Sequence, residues 1–414
     1  DPPTTEIYTQ VNSSAASDVY KRQNWGWRGA YAPEVAADVE AAYEQLFDKL
    51  LPDVVQAHDP SRPYWPSSPS LGWGHAESLT GGDSHYWGVW WGMEPFRTYA
   101  EKVPRFASEF GFQALPDPAT IEAFAEVSPT RLDEPAMKAH QKHPSGYETI
   151  ATYLARDWPV PSPDSLDAFA YVSQLAQAEG VGLALEAHRR SWPRTGGSLY
   201  WQLNDTWPVV SWSSRDYVGR WKALHYRARS VFAPVAVLAD AWADSVGVWV
   251  ATDRDGLSGT LEVLVMDMTG EPIGIHAVRL AGPGRAWVSS IDALVPSDVD
   301  PSEVVIAASL VGYEAPGSRD LVFLVPPKEL SLPQADVRIV TTARDAAAWH
   351  VTLTADRFAY GVRLSVPGSG ARFSDNYLHL LPGDTVTVRV EPEALAIDLA
   401  SSLSLRSLSD LTRK

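Results

Sequence analysis

The stretch Arg105-Phe106-Ala107-Ser108-Glu109-Phe110-Gly111-Phe112-Gln113 places one acidic residue inside an aromatic, β-prone run. A carboxylate in such a setting is costly to bury unless it is paired or used chemically. The run predicts a strand over 105–110 with Glu109 near its end. Taken alone, it is equally compatible with a structural salt bridge and with a functional carboxylate.

Helical and strand patterns alternate around this run, from residue 24 to residue 230. Apolar residues at helical spacing predict long helices from Glu34 to about Leu51 and from Ser165 to Trp192. Strands are predicted at 62–69, 105–110 and 197–205, and the run 82–91 is predicted to contain a strand and its exit. Such alternation predicts a parallel sheet. Polar and aromatic residues gather at the C-terminal ends of these strands, where a (β/α)8 barrel builds its active site.

The pattern changes after about residue 232 to short Val-, Leu- and Thr-rich runs separated by Gly, Pro and Asp turns. This texture predicts antiparallel sandwiches. The fold class is therefore multidomain, α/β followed by all-β: the C-terminal half of a TIM (β/α)8 barrel and two immunoglobulin-like β-sandwich domains. The expected divisions are a non-native or disordered tail at 1–23, the half barrel at 24–230, and sandwiches at 231–328 and 329–414.

Composition narrows the function. The net charge of −17 argues against nucleic acid and anionic membranes as partners. The chain has no Cys, no apolar run long enough to span a membrane and no visible signal peptide, which favours a cytoplasmic location. Of 17 Trp residues, 13 precede residue 231. Clustered indoles beside polar residues favour a carbohydrate ligand over a merely aromatic core.

Four spaced motifs carry a family resemblance. They are Arg62-Pro-Tyr-Trp-Pro-Ser-Ser-Pro69, Gly82-Asp-Ser-His-Tyr-Trp-Gly-Val-Trp-Trp91, Ser108-Glu-Phe-Gly-Phe-Gln113 and Tyr200-Trp-Gln-Leu-Asn-Asp-Thr-Trp-Pro208. Together they resemble the β-mannosidases of glycoside hydrolase family 2, and Phe373-Ser-Asp-Asn-Tyr-Leu378 resembles the C-terminal sandwich of that group. The resemblance implies a retaining exo-glycosidase that acts on terminal β-mannosyl units of oligosaccharides and needs no cofactor or metal.

The resemblance also implies roles for individual residues. Glu109 would be the nucleophile, and Tyr86 would hydrogen-bond to it. The substrate-binding residues would be Trp25, His85, Trp87, Trp201 and Asp205, with Trp201 as the stacking floor. Two alternatives stay open from the residues themselves: His85 as a satisfied core histidine, and Asp205 as the cap of a turn.

The acid/base Glu of the family is the main departure. It follows Asn in a Gly-Asn-Asn-Glu-type motif before the Trp-Gly-Trp loop, but Ser13 to Tyr20 hold that place here and contain no Glu. The N-terminal half of the family pattern is not found either. We therefore expect this chain to lack the proton donor, whose contribution is typically about 10²–10⁴-fold. Two alternatives follow: an inactive carbohydrate-binding or structural fragment, and a family 2 enzyme for another β-glycoside.

Overall fold

The computed structural model divides the chain into two compact units. The first comprises Asp1–Phe110 and Ala187–Tyr200, and the second comprises Gly111–Glu186 and Trp201–Lys414. The described residues are 31–65, 67–69, 72–125, 129–162, 165–254, 257–313, 315–345, 348–367, 370–393 and 402–412. The tail predicted at 1–23, and Trp25, lie outside these ranges. No helix in the described ranges combines the length and apolar character needed to cross a bilayer.

The first unit begins with the predicted long helix, here in three consecutive segments. They are α1 (Pro33–Tyr43), a π-helical segment (Glu44–Leu50) and α2 (Leu51–His58). Pro33 fits the start of α1 because the first turn needs no backbone N–H donor. The apolar face that the spacing predicts is largely exposed: Tyr43 is buried, but Val35 and Leu50 are 44% and 52% exposed.

Short parallel strands lie at the centre of this unit. The elements are a 3₁₀ turn (Ala76–Leu79), β1 (Ser84–His85), α3 (Thr98–Glu101) and β2 (Ala107–Glu109). β1 and β2 pair in parallel, with His85 opposite Glu109. Ala107 also forms a parallel bridge to Ser198, with its N–H donating to the Gly197 carbonyl at 3.0 Å. The strand predicted at 105–110 is therefore confirmed, and its neighbours run parallel to it as expected.

Three of the predicted strands are wrong in extent. The described residues of 62–69 form no strand, the run 82–91 reduces to β1, and 197–205 contributes only the bridge at Ser198. Proline explains the first case, because Pro63 and Pro69 have no N–H to donate to a ladder. In the second, the chain leaves the sheet directly after His85 and turns through Trp90, which has φ of 83°.

The second unit carries the remaining helices. They are α4 (Pro118–Phe124), α5 (Pro135–Ala139), α6 (Gly146–Asp157), α7 (Leu166–Arg190, which continues into the first unit) and α8 (Ala223–Val231). Asp117 caps α4 by accepting the Ala119 N–H at 2.9 Å. Buried amides attach α7 to neighbouring loops: Gln177 Nε2 donates to the carbonyls of Phe112 and Trp212 at 2.7 and 3.2 Å.

A first sandwich follows α8 and is built from two antiparallel sheets. The strands are β3 (Val235–Trp242), β4 (Ser245–Thr252), β5 (Gly259–Asp267), β6 (Pro272–Leu280), β7 (Gly284–Ser290), β8 (Val304–Leu310) and β9 (Arg319–Val322), with α9 (Ile291–Leu294) and a 3₁₀ turn (Pro301–Glu303) between them. The sheet orders are β3-β4-β7 and β6-β5-β8-β9. Alternate residues such as Val248, Val263 and Ile306 fill one core, as the period-two pattern predicts.

A second sandwich completes the chain. Its strands are β10 (Val337–Arg344), β11 (Trp349–Ala355), β12 (Ala359–Ser365), β13 (Ala371–Phe373), β14 (Leu378–Leu380), β15 (Thr385–Pro392) and β16 (Ser404–Arg406), followed by a 3₁₀ turn (Leu408–Leu411). The sheets have the orders β10-β11-β15-β13 and β14-β12-β16. Val351, Leu353, Val388 and Val390 are fully buried in its core.

Buried polar contacts attach α7 and α8 to both sandwiches. Arg227 of α8 forms ion pairs with Glu186 of α7 and with Asp320 of β9, and Asp320 also accepts the Ala239 N–H at 2.7 Å. The hydroxyl of Tyr171, also on α7, donates to the Gly361 carbonyl of β12 at 2.7 Å. Glu186, Asp320 and Tyr171 are buried and Arg227 is partly buried, so each contact replaces hydration lost on folding.

Lys222, just before α8, is a buried cation held by backbone oxygens. It is 1% exposed, and its ammonium donates to the carbonyls of Ala114 and Ser211 at 3.1 and 3.2 Å. Burial lowers the pKa of Lys222 to about 8, although Asp205 and Asp216 oppose the shift. The unfolded chain therefore binds more protons than the folded one between pH 8 and about 10.4, the ordinary pKa of lysine.

We predict that Lys222 makes the protein more stable as the pH rises through this window. Its contribution to the free energy of unfolding increases by about 1.4 kcal/mol per pH unit between pH 8 and 10, and Lys222→Met removes this slope. Urea unfolding of the wild type and variant across this range measures the difference. Lys138→Met, at an exposed position, is the control and keeps the wild-type slope. Equal slopes for Lys222→Met and wild type would contradict the prediction.

Candidate active site

Glu109 lies at the end of β2 as a buried carboxylate, 7% exposed. Two N–H groups converge on one of its oxygens, Oε2. The first is His85 Nδ1 at 3.1 Å, and the second is Trp87 Nε1 at 3.3 Å. Both residues come from β1 or its exit, so the parallel pairing of β1 with β2 delivers them. Hydrogen bonds from N–H donors stabilise the ionised form of a carboxylate.

His85 lies between two carboxylates. It is 3% exposed, and its other ring nitrogen, Nε2, is 3.8 Å from Asp83 Oδ2 and 3.3 Å from Ser68 Oγ. The Ser68 hydroxyl donates its hydrogen bond to Asp83, with Oγ 2.5 Å from Oδ2. The ring of His85 therefore bridges two acidic side chains, with Nδ1 facing Glu109 and Nε2 facing Asp83 and Ser68.

Serines complete the shell of Asp83. Oδ2 accepts hydrogen bonds from Ser68 and from Ser108, the residue before Glu109. Asp83, Ser68 and Ser108 were not singled out from the sequence, although all three lie inside the quoted motifs. The available signal was the i, i+2 spacing of Asp83 and His85, which places both side chains on one face of an extended segment.

Tyr86 has a partner that the sequence did not predict. Its hydroxyl donates to Glu94 Oε2, and Lys102 Nζ lies 3.6 Å from the other oxygen of Glu94. Its backbone N–H donates to the Glu109 carbonyl at 2.9 Å. A Cβ at Gly88 would collide with both the Tyr86 hydroxyl and the Glu94 carboxylate, which explains the glycine. The predicted hydrogen bond from Tyr86 to the carboxylate of Glu109 stays a prediction.

His188 supports the strand end as a neutral ring. It packs edge-on against Phe110, with ring centroids 5.0 Å apart, and its Nδ1 is 2.7 Å from Ser198 Oγ. Burial lowers the pKa of His188 to about 4, and the charge of Arg190 acts in the same direction. This histidine therefore contributes packing and one hydrogen bond without adding a charge beside the carboxylates.

Trp201 and Asp205 lie in the second unit. Trp201 is half-buried, and its carbonyl comes so close to Gly111 that a Cβ there would collide with it. Asp205 is 5% exposed; its two oxygens accept the hydroxyls of Ser211 and Ser213 at 2.7 and 2.5 Å. These hydrogen bonds compensate for the burial of the Asp205 carboxylate. Contact with a ligand stays a prediction for Asp205 and for Trp201. Trp25 lies outside the described residues.

The described residues contain no group of three or more His, Asp or Glu side chains arranged to hold a metal ion. The chemistry that the first unit does offer is a desolvated carboxylate, hydrogen-bonded on one oxygen and backed by an Asp83–His85 pair. Such a group can act as a nucleophile or a general base.

Comparisons with known proteins agree with this chemistry. Residues 332–411 match the Ig_mannosidase family, an Ig-fold domain. The chain is 29% identical to β-mannosidase B of Aspergillus terreus over 396 residues and 32% identical to β-mannosidase B of Thermothelomyces thermophilus over 393 residues. These matches cover 89% and 85% of the chain but only 45% of each relative. The chain thus spans about half the length of the curated relatives it matches.

Solved structures give the same result. The β-D-mannosidase of Dictyoglomus thermophilum matches with a TM-score of 0.76 and 27% identity, covering 88% of this chain and 44% of that one. The exo-chitosanase of Amycolatopsis orientalis shares the fold, with a TM-score of 0.62 at 18% identity, and covers 86% of this chain and 48% of that one.

In sequence and fold, this chain is therefore similar to glycoside hydrolases, in a multidomain arrangement that includes a β-sandwich. Within that class, it corresponds in sequence and fold to the C-terminal part of β-mannosidases, as its motifs predicted.

The Ser108 contact can be tested through stability. Ser108→Ala removes a donor from the Asp83 carboxylate, and we expect it to lower the free energy of unfolding by about 1.5–3 kcal/mol. Ser61→Ala is a matched control, because Ser61 donates to Asp59 at 2.7 Å on the exposed surface, and it should cost less than about 0.5 kcal/mol. Urea unfolding measures both; equal effects would show that the Asp83 cluster adds nothing beyond a surface contact.

Proposed function

We propose that this chain is the nucleophile-bearing part of a retaining exo-β-mannosidase of glycoside hydrolase family 2. On this proposal, residues 24–230 form the C-terminal half of a (β/α)8 barrel, followed by Ig-like sandwiches at 231–328 and 329–414. The observation that carries it is the Glu109 carboxylate, held at a parallel strand end by His85 and Trp87. The relatives named β-mannosidase supply the substrate class, a terminal β-mannosyl unit.

Glu109 acts as the nucleophile in the proposed reaction. An oxygen of its carboxylate attacks the anomeric carbon while the leaving oxygen departs, giving a covalent glycosyl–enzyme ester. Water then attacks the same carbon and releases the sugar with its original configuration. The contacts of His85 and Trp87 with Oε2 orient the carboxylate, which fixes the attack geometry.

The other proposed substrate contacts come from the same motifs. The proposed substrate-binding residues are Trp25, His85 and Trp87 in the first unit and Trp201 and Asp205 in the second, and Tyr86 would position Glu109. His85 would also help to position Glu109, because its Nδ1 contacts that carboxylate. The acid/base Glu that completes the mechanism in the family was not found in the sequence, so glycosides with good leaving groups should react best in the first step.

The nucleophile proposal has a direct test in this chain. We expect an aryl β-mannoside with a strongly acidic phenol to leave one mannosyl group on Glu109, located by peptide mass spectrometry. Glu109→Gln should abolish the adduct, whereas Glu122→Gln, at an exposed helix position, should form it at the wild-type rate. An adduct on another residue, or one that survives Glu109→Gln, would make the assignment wrong.

Turnover can be tested in a chimera that places this chain behind the upstream half of a β-mannosidase. Glu109→Gln should lower kcat on an aryl β-mannoside by at least about a thousandfold. In Glu109→Ala, added azide should restore release of the phenol by attacking the anomeric carbon in place of the carboxylate, giving a mannosyl azide of inverted configuration. A chimera that binds mannose but shows neither adduct nor turnover would support the non-catalytic carbohydrate-binding alternative.

A further inference from the structure

A cleft of about 290 Å³ lies within the second unit, away from any residue assigned above to the reaction. One wall is the loop before α8, which contributes Arg215, Arg220 and Trp221. The other is the second sandwich, which contributes Arg363 of β12 and Arg372 and Phe373 of β13. The volume is near the lower limit of ordinary small-molecule pockets, so it suits a ligand of one ring rather than a polymer.

Arg363 is the most unusual group in this cleft. Its side chain is 8% exposed, and Nη2 donates to Asp167 at 2.9 Å. Asp167 also forms an ion pair with Arg406, so a single carboxylate serves two guanidinium groups. Nε and Nη1 of Arg363 are buried and have no hydrogen-bond partner. Buried N–H donors are rarely left unsatisfied in proteins, and those of a cation are the most costly to leave so.

The cleft is positive in an acidic protein. Its lining includes four arginines but one carboxylate, Asp117, while the whole chain has a net charge of −17. Arg220 is already held by Glu393, with Nε and Nη2 at 3.0 and 2.7 Å from its two oxygens. In this cleft, Arg363 is therefore the buried cation whose Nε and Nη1 have no acceptor, and Arg372 adds an exposed charge at the rim. Carboxylate and phosphate groups are the usual partners of such guanidinium groups.

Aromatic rings complete the lining and indicate what carries the anion. Trp221 and Phe373 are both half-buried beside the arginines. Behind them, Tyr226 packs against Trp221 with ring centroids 5.1 Å apart, which fixes the orientation of the indole. Indole and phenyl faces suit the apolar face of a compact ring and would not be needed for a bare inorganic ion.

We propose that this cleft is a binding site for a small acidic saccharide. Its carboxylate or phosphate accepts hydrogen bonds from Arg363, and its ring lies against Trp221 and Phe373. The site does not depend on the proposed hydrolysis at Glu109, since no group of the cleft takes part in that reaction.

The test is isothermal titration of the full chain with four probes at concentrations up to about 10 mM. D-glucuronate and D-mannose 6-phosphate represent the two anionic groups, D-glucose is the neutral ring, and inorganic phosphate is the bare anion. We expect one or both acidic sugars to bind, and glucose and phosphate to bind at least about tenfold more weakly. Arg363→Gln should weaken acidic-sugar binding by about 10–100-fold.

Two further variants keep the result interpretable if Arg363→Gln unfolds. Arg372→Gln changes the exposed rim and should weaken binding several-fold without affecting stability. Arg338→Gln removes an exposed arginine outside the cleft, paired with Asp336, and should bind like wild type. The proposal is overturned if no acidic sugar binds, or if binding is unchanged in Arg363→Gln and Arg372→Gln. Phosphate binding as tight as the acidic sugars would overturn the saccharide assignment.

Discussion

The burial of one carboxylate, Glu109, is the constraint on which the first unit depends. Removing a charge from water costs several kcal/mol unless donors replace the lost hydration. Here His85 and Trp87 contact one oxygen of the carboxylate, and the other ring nitrogen of His85 faces Asp83. These contacts exist only in the register that sets His85 opposite Glu109. The pairing of the strands and the organisation of the candidate site therefore depend on each other, because a slip of β1 would remove the His85 and Trp87 contacts from a buried carboxylate.

The sequence predicted the elements of this site better than their extents. The run around Glu109 forms a strand, and its parallel neighbours follow from alternation of helices and strands along the chain. Strand length, however, is decided by partners distant in sequence, so β1 holds only Ser84 and His85 of the run 82–91, which was predicted to contain a strand and its exit. The role of Asp83 was not predicted for a similar reason. Its carboxylate accepts hydrogen bonds from Ser68 and Ser108, which are close to it only in the folded chain.

The all-β region was predicted more fully, because a period of two marks a half-buried strand wherever it occurs. Two such runs, Trp349–Ala355 and Thr385–Pro392, alternate between core and solvent. Strands of three residues, such as β13 and β14, are too short to show this period. Helical spacing predicted the type of secondary structure but not which side chains are buried. It identified α1 and α2 correctly, yet Val35 and Leu50 on their apolar face are exposed. Periodicity shows which residues share a face of a helix, but not whether that face packs against the protein or faces solvent.

The contacts between α7 and β12 bear on how such chains can be recombined. Tyr171 donates to a backbone carbonyl of the second sandwich, and Arg363 of that sandwich uses Asp167 of the helix. A sandwich moved to another protein would take a buried arginine without its carboxylate, and the helix left behind would keep a tyrosine hydroxyl without its acceptor. The second sandwich is thus a poor candidate for modular exchange, unlike immunoglobulin-like domains joined by flexible linkers. Its exchange between proteins should require α7 to move with it.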